Sequence, residues 1–310
     1  IQTSEYEKQG KHIIVDQGQA EIAGYTNREE GLFNEVPVII FGDHTRLIKY
    51  IDEPFFLGAD GVKVLRSKEK NANYKYLYYA LKSAKIPNTG YNRHFKWLKD
   101  VEINYPDSVK QEKIVDILDR VSDVIEKRKA ELSYLDTLIK ARFVEMFGDP
   151  IINSKGLETK ELNEVLVLKA GDFTAASDIS VEPTEINIYP CYGGNGIRGY
   201  VAEYNQEGEY SLVGRQGALS GNVQYATGKF KNTEHALLVK PIIRMNSIWL
   251  NQLLLNLDLK RYQTGAAQPG LSVKNLQDIQ IIMVPIDEQR QFAAFVNEID
   301  KSKLQKFSAA

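Results

Sequence analysis

At 310 residues, 43% hydrophobic and 26% charged, the chain has the composition of an ordinary soluble protein of about two domains. It has no run of 18 apolar residues to span a membrane and no secretion-signal pattern, and its lone cysteine, Cys191, excludes an internal disulfide and points to a reducing compartment. A net charge of −2 gives no global sign of a nucleic-acid partner, so charge has to be counted segment by segment.

The first hundred residues read as a mixed unit. Residues 12–15 predict a strand, followed by the turn Gln17-Gly18-Gln19 and a second apolar stretch at 22–25. Residues 36–41 are a continuous apolar run ending at Gly42, the pattern of a buried strand. A polar loop (Asp43, His44, Thr45, Arg46) follows, then a strand at 62–65. Leu77, Ala80, Leu81 and Ala84 have helical spacing, and a polar, aromatic loop runs from Asn88 to Phe95.

Residues 110–147 predict one long helix without an internal Gly or Pro, stopped by Gly148-Asp149-Pro150. Its apolar seam is Leu118, Val121, Ile125, Leu132, Leu135, Ile139 and Met146, alternating three and four residues with Arg128 and Arg142 on two steps. Such a helix is roughly 55 Å long at 1.5 Å per residue and needs a partner helix for its stripe.

After Pro150 the same order returns, which makes the chain an internal repeat. Leu98-Lys99-Asp100-Val101-Glu102-Ile103 matches Leu276-Gln277-Asp278-Ile279-Gln280-Ile281 at an offset of 178 residues. The same offset pairs Gln111 with Gln289 and leads into a second helix over 288–306, with Phe292, Phe295 and Ile299 on its apolar side. The expected domains are 1–108, a helix over 109–150, a second unit over 151–286 and a shorter helix over 287–310. Residues 157–174 have no counterpart before Ile1, and the second helix is about half the first, so the chain is expected to be trimmed at both ends.

Catalytic signatures are missing from the sequence. There is no phosphate-loop or zinc-protease motif, and the four histidines are scattered. Gly193-Gly194-Asn195-Gly196 precedes a strand-like stretch, where a dinucleotide fingerprint would open a helix. Ser220 and His235 lack the nucleophile-elbow context of a hydrolase. Segment charges are more informative. Residues 38–99 hold 12 Lys/Arg against 5 Asp/Glu, and residues 212–274 hold 8 against 2. Each repeat thus has a basic sector carrying polar loops, a mix that suits DNA: cations hold phosphates, and Arg, Asn and Gln read base edges. The candidate contacts are His44, Arg46, Tyr91, Asn92, Arg93 and His94 in the first unit. In the second they are Arg198, Arg215, Gln216, Asn222, Thr264, Gln268, Ser272 and Lys274. Plain turn chemistry explains any one of them alone, and the arginines rank above the histidines.

The ordered set of motifs resembles the specificity subunit of type I restriction–modification systems. The stretches that carry the resemblance are Tyr-Gly-Gly-Asn-Gly-Ile-Arg-Gly-Tyr (192–200), Val-Gly-Arg-Gln-Gly (213–217), Thr-Gly-Ala-Ala-Gln-Pro-Gly-Leu-Ser (264–272) and Val-Pro-x-x-x-Glu-Gln-Arg (284–290). The first copy departs from it, with Gln17-Gly18-Gln19 for Gly-Gly-Asn and Gly42-Asp43-His44 for Gly-Arg-Gln. The resemblance implies an α+β protein of two similar mixed α/β target recognition domains, each followed by a long helix, the helices pairing as an antiparallel coiled coil. It implies a cytoplasmic, prokaryotic, non-catalytic reader of double-stranded DNA that binds no cofactor itself. Two methyltransferase subunits would bring S-adenosylmethionine, and restriction–translocase subunits would bring ATP and Mg; the helix residues Leu118, Val121, Ile125, Leu132, Leu135, Ile139, Phe292, Phe295 and Ile299 would serve partner docking. The competing expectations are a half-subunit module of a related system, a coiled-coil scaffold with incidental basic faces, and an enzyme in its own right.

Overall fold

The computed structural model describes residues 1–308 apart from Tyr91, Ala218 and residues 266–268, with no side-chain description from 305 onward. The chain forms two compact units, Ile1–Arg128 and Lys129–Ala310.

In the first unit the strands are β1 (His12–Val15), β2 (Gly24–Thr26), β3 (Val38–Gly42), β4 (Ile48–Ile51), β5 (Phe55–Leu57) and β6 (Val62–Leu65). They form two three-stranded sheets, ordered β2-β1-β5 and β4-β3-β6. The run Val-Ile-Ile-Phe-Gly makes β3 the centre of its sheet, and every one of its residues is buried. Phe55, Ile13, Val15, Val38, Ile40 and Ile51 share one core across both sheets. Helix α1 (Tyr74–Lys82) starts where the Asn73 side chain accepts from the Tyr76 backbone. A single turn, α2 (Phe95–Leu98), precedes the long helix α3 (Ser108–Phe147).

The second unit repeats this plan with additions. Its elements are β7 (Thr159–Glu161), α4 (Leu162–Val165), β8 (Leu166–Ala170), β9 (Tyr189–Gly193), β10 (Gly196–Val201), β11 (Gln206–Gly214), β12 (Val223–Asn232), β13 (Ala236–Pro241), α5 (Ser247–Asn256), α6 (Val273–Leu276), β14 (Gln280–Ile282) and α7 (Ile286–Ser308). Six strands make one sheet, β10-β9-β12-β11-β13-β8. Strand β12 pairs antiparallel with β11 and, at its far end, parallel with β9. In the first unit β4 and β5 divide these two pairings, because Asp52-Glu53-Pro54 interrupts the strand and Pro54 has no N–H to donate. Strand β14 pairs with β7. The matching residues 102–104 of the first unit have no pairing strand among the described residues and are not a strand.

Alternation along β11 and β13 sorts side chains to two faces. Val213, Leu237 and Val239 join the large core with Trp249, Phe143, Phe147 and Phe292. Leu212, Ala236 and Leu238 pack on the opposite face with Phe230. Phe143 meets Phe292 edge-on at 5.4 Å, and Phe147 meets Trp249 edge-on at 6.3 Å. Contacts from Phe147–Phe292 through Arg142–Phe295 to Lys303–Asp136 run in opposite chain directions, so α7 lies antiparallel to the C-terminal part of α3. Within the expected seam Ile139 and Phe292 are buried, Leu118, Leu132 and Leu135 half-buried, and Val121 and Ile125 about half exposed.

The repeat extends to single side chains. Gln111 and Gln289 are both buried near the start of a long helix. Each donates from Nε2 to a carbonyl five residues back, Pro106 at 2.8 Å and Val284 at 2.7 Å. Gln289 also accepts from the Asn246 backbone, which ties α7 to the cap of α5. In the first unit Lys75 and Tyr79 of α1 donate to the two carboxylate oxygens of Asp119 on α3, each at 2.6 Å.

Removing the Gln289 side chain (Gln289→Ala) leaves the buried Val284 carbonyl and the half-buried Asn246 N–H without this partner and is expected to cost about 2–4 kcal/mol, read as an earlier denaturant transition of the second unit. At Asp119 burial acts to raise the carboxyl pKa, but the bonds from Lys75 and Tyr79 prevail and hold it below the usual aspartate range. The α1–α3 contact is therefore present in full above the ordinary aspartate pKa and is lost as pH falls through the lowered folded value. An NMR titration of Asp119 checks this, and Tyr79→Phe is expected to move its midpoint upward.

Candidate nucleic-acid interface

A central strand buried on both faces has to return to water at its end, and in both units it ends at a glycine with loops gathered round it. In the first unit Gln17 joins three connections: its Nε2 donates to the Asp60 carbonyl at 2.8 Å, and its Oε1 accepts from the His44 backbone at 3.1 Å. Asp43 joins a fourth. Its buried carboxylate accepts from the Phe95 backbone at 2.7 Å, and its carbonyl accepts from the His94 backbone at 2.8 Å. The His94 ring places Nδ1 3.0 Å from that same carbonyl, which requires a proton on Nδ1.

This arrangement corrects the expectation for His94. It is fully buried and holds α2 to the strand end, so it offers nothing to a ligand at the surface. Asn92 and Arg93 are exposed. Arg46 is half-buried with a left-handed φ of 63°, and its guanidinium donates to the Ile86 carbonyl at 3.3 Å. His44 is also half-buried, and Tyr91 lies outside the described residues.

In the second unit Gly214 ends β11 and lies against Gly194 of the β9–β10 turn. A Cβ on Gly214 would stand 2.3 Å from the Gly194 oxygen, so only glycine permits the approach. The Arg215 backbone donates to the His235 carbonyl at 3.0 Å, and its guanidinium donates to the Glu234 carbonyl at 3.2 Å. Gln216 is exposed, its Oε1 3.0 Å from His235 Nδ1. Backbone bridges tie Gln216 and Thr264 to Gly270. Asn222 donates to the Asn195 side-chain oxygen at 2.8 Å. The structure thus brings Arg215, Gln216, Asn222 and Thr264 together.

Ser272 has a second, local duty: it caps α6 by accepting from the Asn275 backbone at 3.2 Å. Arg198 and Lys274 are exposed and have no hydrogen bond to this cluster among the described residues, while Gln268 lies outside those residues. Sequence reasoning missed Gln17, Asp43 and Asn195 as loop organisers. Asn195 was in view only for the glycines around it, and the amide between them was the signal.

These loops present guanidinium, amide and hydroxyl groups, donors and acceptors suited to hydrogen-bonded recognition. No group of three or more His, Cys, Asp or Glu is placed to hold a metal among the described residues. Ser220 is fully buried, and its hydroxyl has no hydrogen-bond partner among them, so it is not paired with His235. No helix among the described residues is long and apolar enough to cross a membrane.

The chain belongs to the family of the type I restriction modification DNA specificity domain, which it matches over residues 2–134 and again over residues 154–307. It is similar to the specificity subunit of the type I restriction enzyme EcoprrI of Escherichia coli, with 38% identity over 194 residues that cover 61% of this chain and 48% of that protein. A putative type I specificity subunit, S.MgeORF438P of Mycoplasma genitalium, is 23% identical over 300 residues, 87% of this chain and 77% of its own. The chain spans about half or less of the length of the E. coli and Haemophilus influenzae relatives it matches. The crystal structure of a type I restriction–modification S subunit from M. genitalium shares the fold, with a TM-score of 0.58 at 20% identity over 99% of this chain and 86% of that one.

Gly214→Ala is expected to force the β9–β10 turn away from β11. Amide hydrogen exchange should then speed up at residues 194–196 and 214–222 by at least about tenfold, with exchange in α7 unchanged.

Proposed function

We propose that this chain is the non-catalytic DNA-recognition subunit of a type I restriction–modification complex, with each unit reading one half of a bipartite double-stranded site. The observation that carries this reading is the same in both units: a loop cluster fixed by internal hydrogen bonds, with exposed Arg and amide side chains, inside a sector of net positive charge (+7 over residues 38–99 and +6 over residues 212–274). Positive charge supplies sequence-independent affinity through phosphates, and fixed amides and guanidinium groups supply choice of base.

On this reading residues 1–108 and 151–286 are the two target recognition domains, and residues 109–150 and 287–310 are spacer helices. The helices pair as an antiparallel coiled coil, set the spacing of the half-sites and dock two methyltransferase subunits. The antiparallel contacts between Phe143, Phe147 and Phe292 support that pairing. S-adenosylmethionine belongs to those methyltransferase partners, ATP and Mg belong to restriction–translocase partners, and the assembly is cytoplasmic. Arg93, Arg198 and Lys274 are the phosphate candidates, with Asn92, Gln216 and Thr264 on base edges and Arg46, His44, Arg215 and Asn222 at the loop roots. Tyr91, Gln268 and Ser272 remain candidates from sequence.

Methylome sequencing of cells carrying the complete system, with and without this chain, tests the reading. A bipartite motif with methylated adenine in both halves that depends on the chain is the expected outcome; methylation indifferent to the chain would sink it. At the residue level, Arg93→Ala or Lys274→Ala is expected to weaken DNA binding uniformly across sequences and lower the salt slope by about 1, whereas Gln216→Ala relaxes preference at one position of one half-site.

A further inference from the structure

Lys49 is a lysine where the fold has no obvious use for one. It sits in β4 with a side chain only 8% exposed. Its ammonium donates to two carbonyls of one turn, Asp16 at 2.8 Å and Ala20 at 2.6 Å, and lies 4.0 Å from the Asp16 carboxylate. Burial lowers its pKa, and the charges of Asp16 and Glu21 oppose that. A buried ammonium is costly unless every proton is used, so a position that could hold an apolar residue is held by a clamp. The clamped turn links β1 to β2 and turns Gln19 outward, where it is exposed.

The second unit has the same arrangement from different residues. Its β9–β10 turn, the counterpart of β1–β2, presents exposed Asn195 beside Gly196 at φ +98°. Asn195 is held by Asn222, which directly precedes β12. Strand β12 is the counterpart of β4: each pairs antiparallel with the central strand. In both units, then, this turn carries one exposed amide and is locked by a side chain from β4, or from the residue just before its counterpart β12.

We propose, resting on the DNA-specificity reading above, that Gln19 and Asn195 are base-reading residues and that Lys49 and Asn222 are the positioning residues that aim them, one pair for each half-site. A side-chain amide offers a donor and an acceptor together, the combination that matches the major-groove edge of adenine. An amide on a loose turn would lose that match to conformational entropy, and the clamp removes the freedom in advance.

The test is selection from a randomised DNA duplex library with the intact chain, comparing wild type with Gln19→Ala, Asn195→Ala, Lys49→Met and Lys49→Arg. Gln19→Ala is expected to reduce preference about tenfold at one position of one half-site, and Asn195→Ala at one position of the other. Lys49→Met should blur the Gln19 position and leave the other half-site sharp, with Lys49→Arg restoring it. Gln19 and Asn195 are exposed, so their replacement does not threaten folding. An unchanged motif in both exposed variants overturns the inference while the specificity reading stands. So does a Lys49→Met chain that loses affinity evenly over all sequences, which would mark Lys49 as purely structural. A wild-type chain that selects no motif overturns the specificity reading and the inference together.

Discussion

Everything at the candidate interface depends on how a doubly buried strand ends. Strand β3 and the last four residues of β11 have no free face, so their last residue has to release the chain into water within one step. Gly42 and Gly214 make that step possible in contacts too close for a side chain: a Cβ at Gly42 would stand 2.2 Å from the Thr45 hydroxyl, and one at Gly214 would meet the Gly194 oxygen. Around these two points the remaining loops are tied by side-chain amides and carboxylates, Gln17 and Asp43 in one unit and Asn222 and Gln263 in the other. The result is a surface whose polar groups are placed before any ligand arrives, which is the physical requirement for discriminating ligands by hydrogen bonds.

The long helices obey a different constraint. A helix that follows a folded unit needs its first turn anchored, and buried Gln111 and Gln289 do this by the same geometry in each copy. Beyond the anchor the two helices diverge in what covers them. Antiparallel contacts with α7 run along the C-terminal part of α3 to Asp136, and Val121 and Ile125, which belong to the first unit, are about half exposed.

Much of this was legible in sequence because the signals were long or repeated. The 178-residue offset, the uninterrupted helix and the continuous apolar run of β3 each rest on many residues agreeing. Two kinds of element were not legible: α2 and α6 are single turns, and the ten-residue β12 scatters polar residues such as Gln224, Thr227 and Lys229 with no apolar period. The site was legible as loops and as a charge sector, but not as contacts. His94 looked like a surface histidine in a polar loop, yet it is buried: the Asp43 carbonyl, fifty-one residues earlier, accepts from its backbone N–H and faces its Nδ1, and the Thr89 backbone donates to its Nε2. Lys49 counted only as one more positive charge, since no local pattern shows that its ammonium reaches a turn some thirty residues upstream.

The break between β4 and β5 has a mechanical consequence. In the second unit one unbroken strand carries strain from the β9–β10 side of the sheet to the central strand, as a continuous beam would. In the first unit Asp52-Glu53-Pro54 cuts that beam, and the two halves meet through the Phe55 core and the polar ties of Lys49 and Gln17. The first unit therefore has a joint, and its compliance is set by a few side chains instead of a ladder of backbone bonds. Two copies of one fold acquire different stiffness in this way, so the same bending of a ligand would cost each of them a different amount of elastic work.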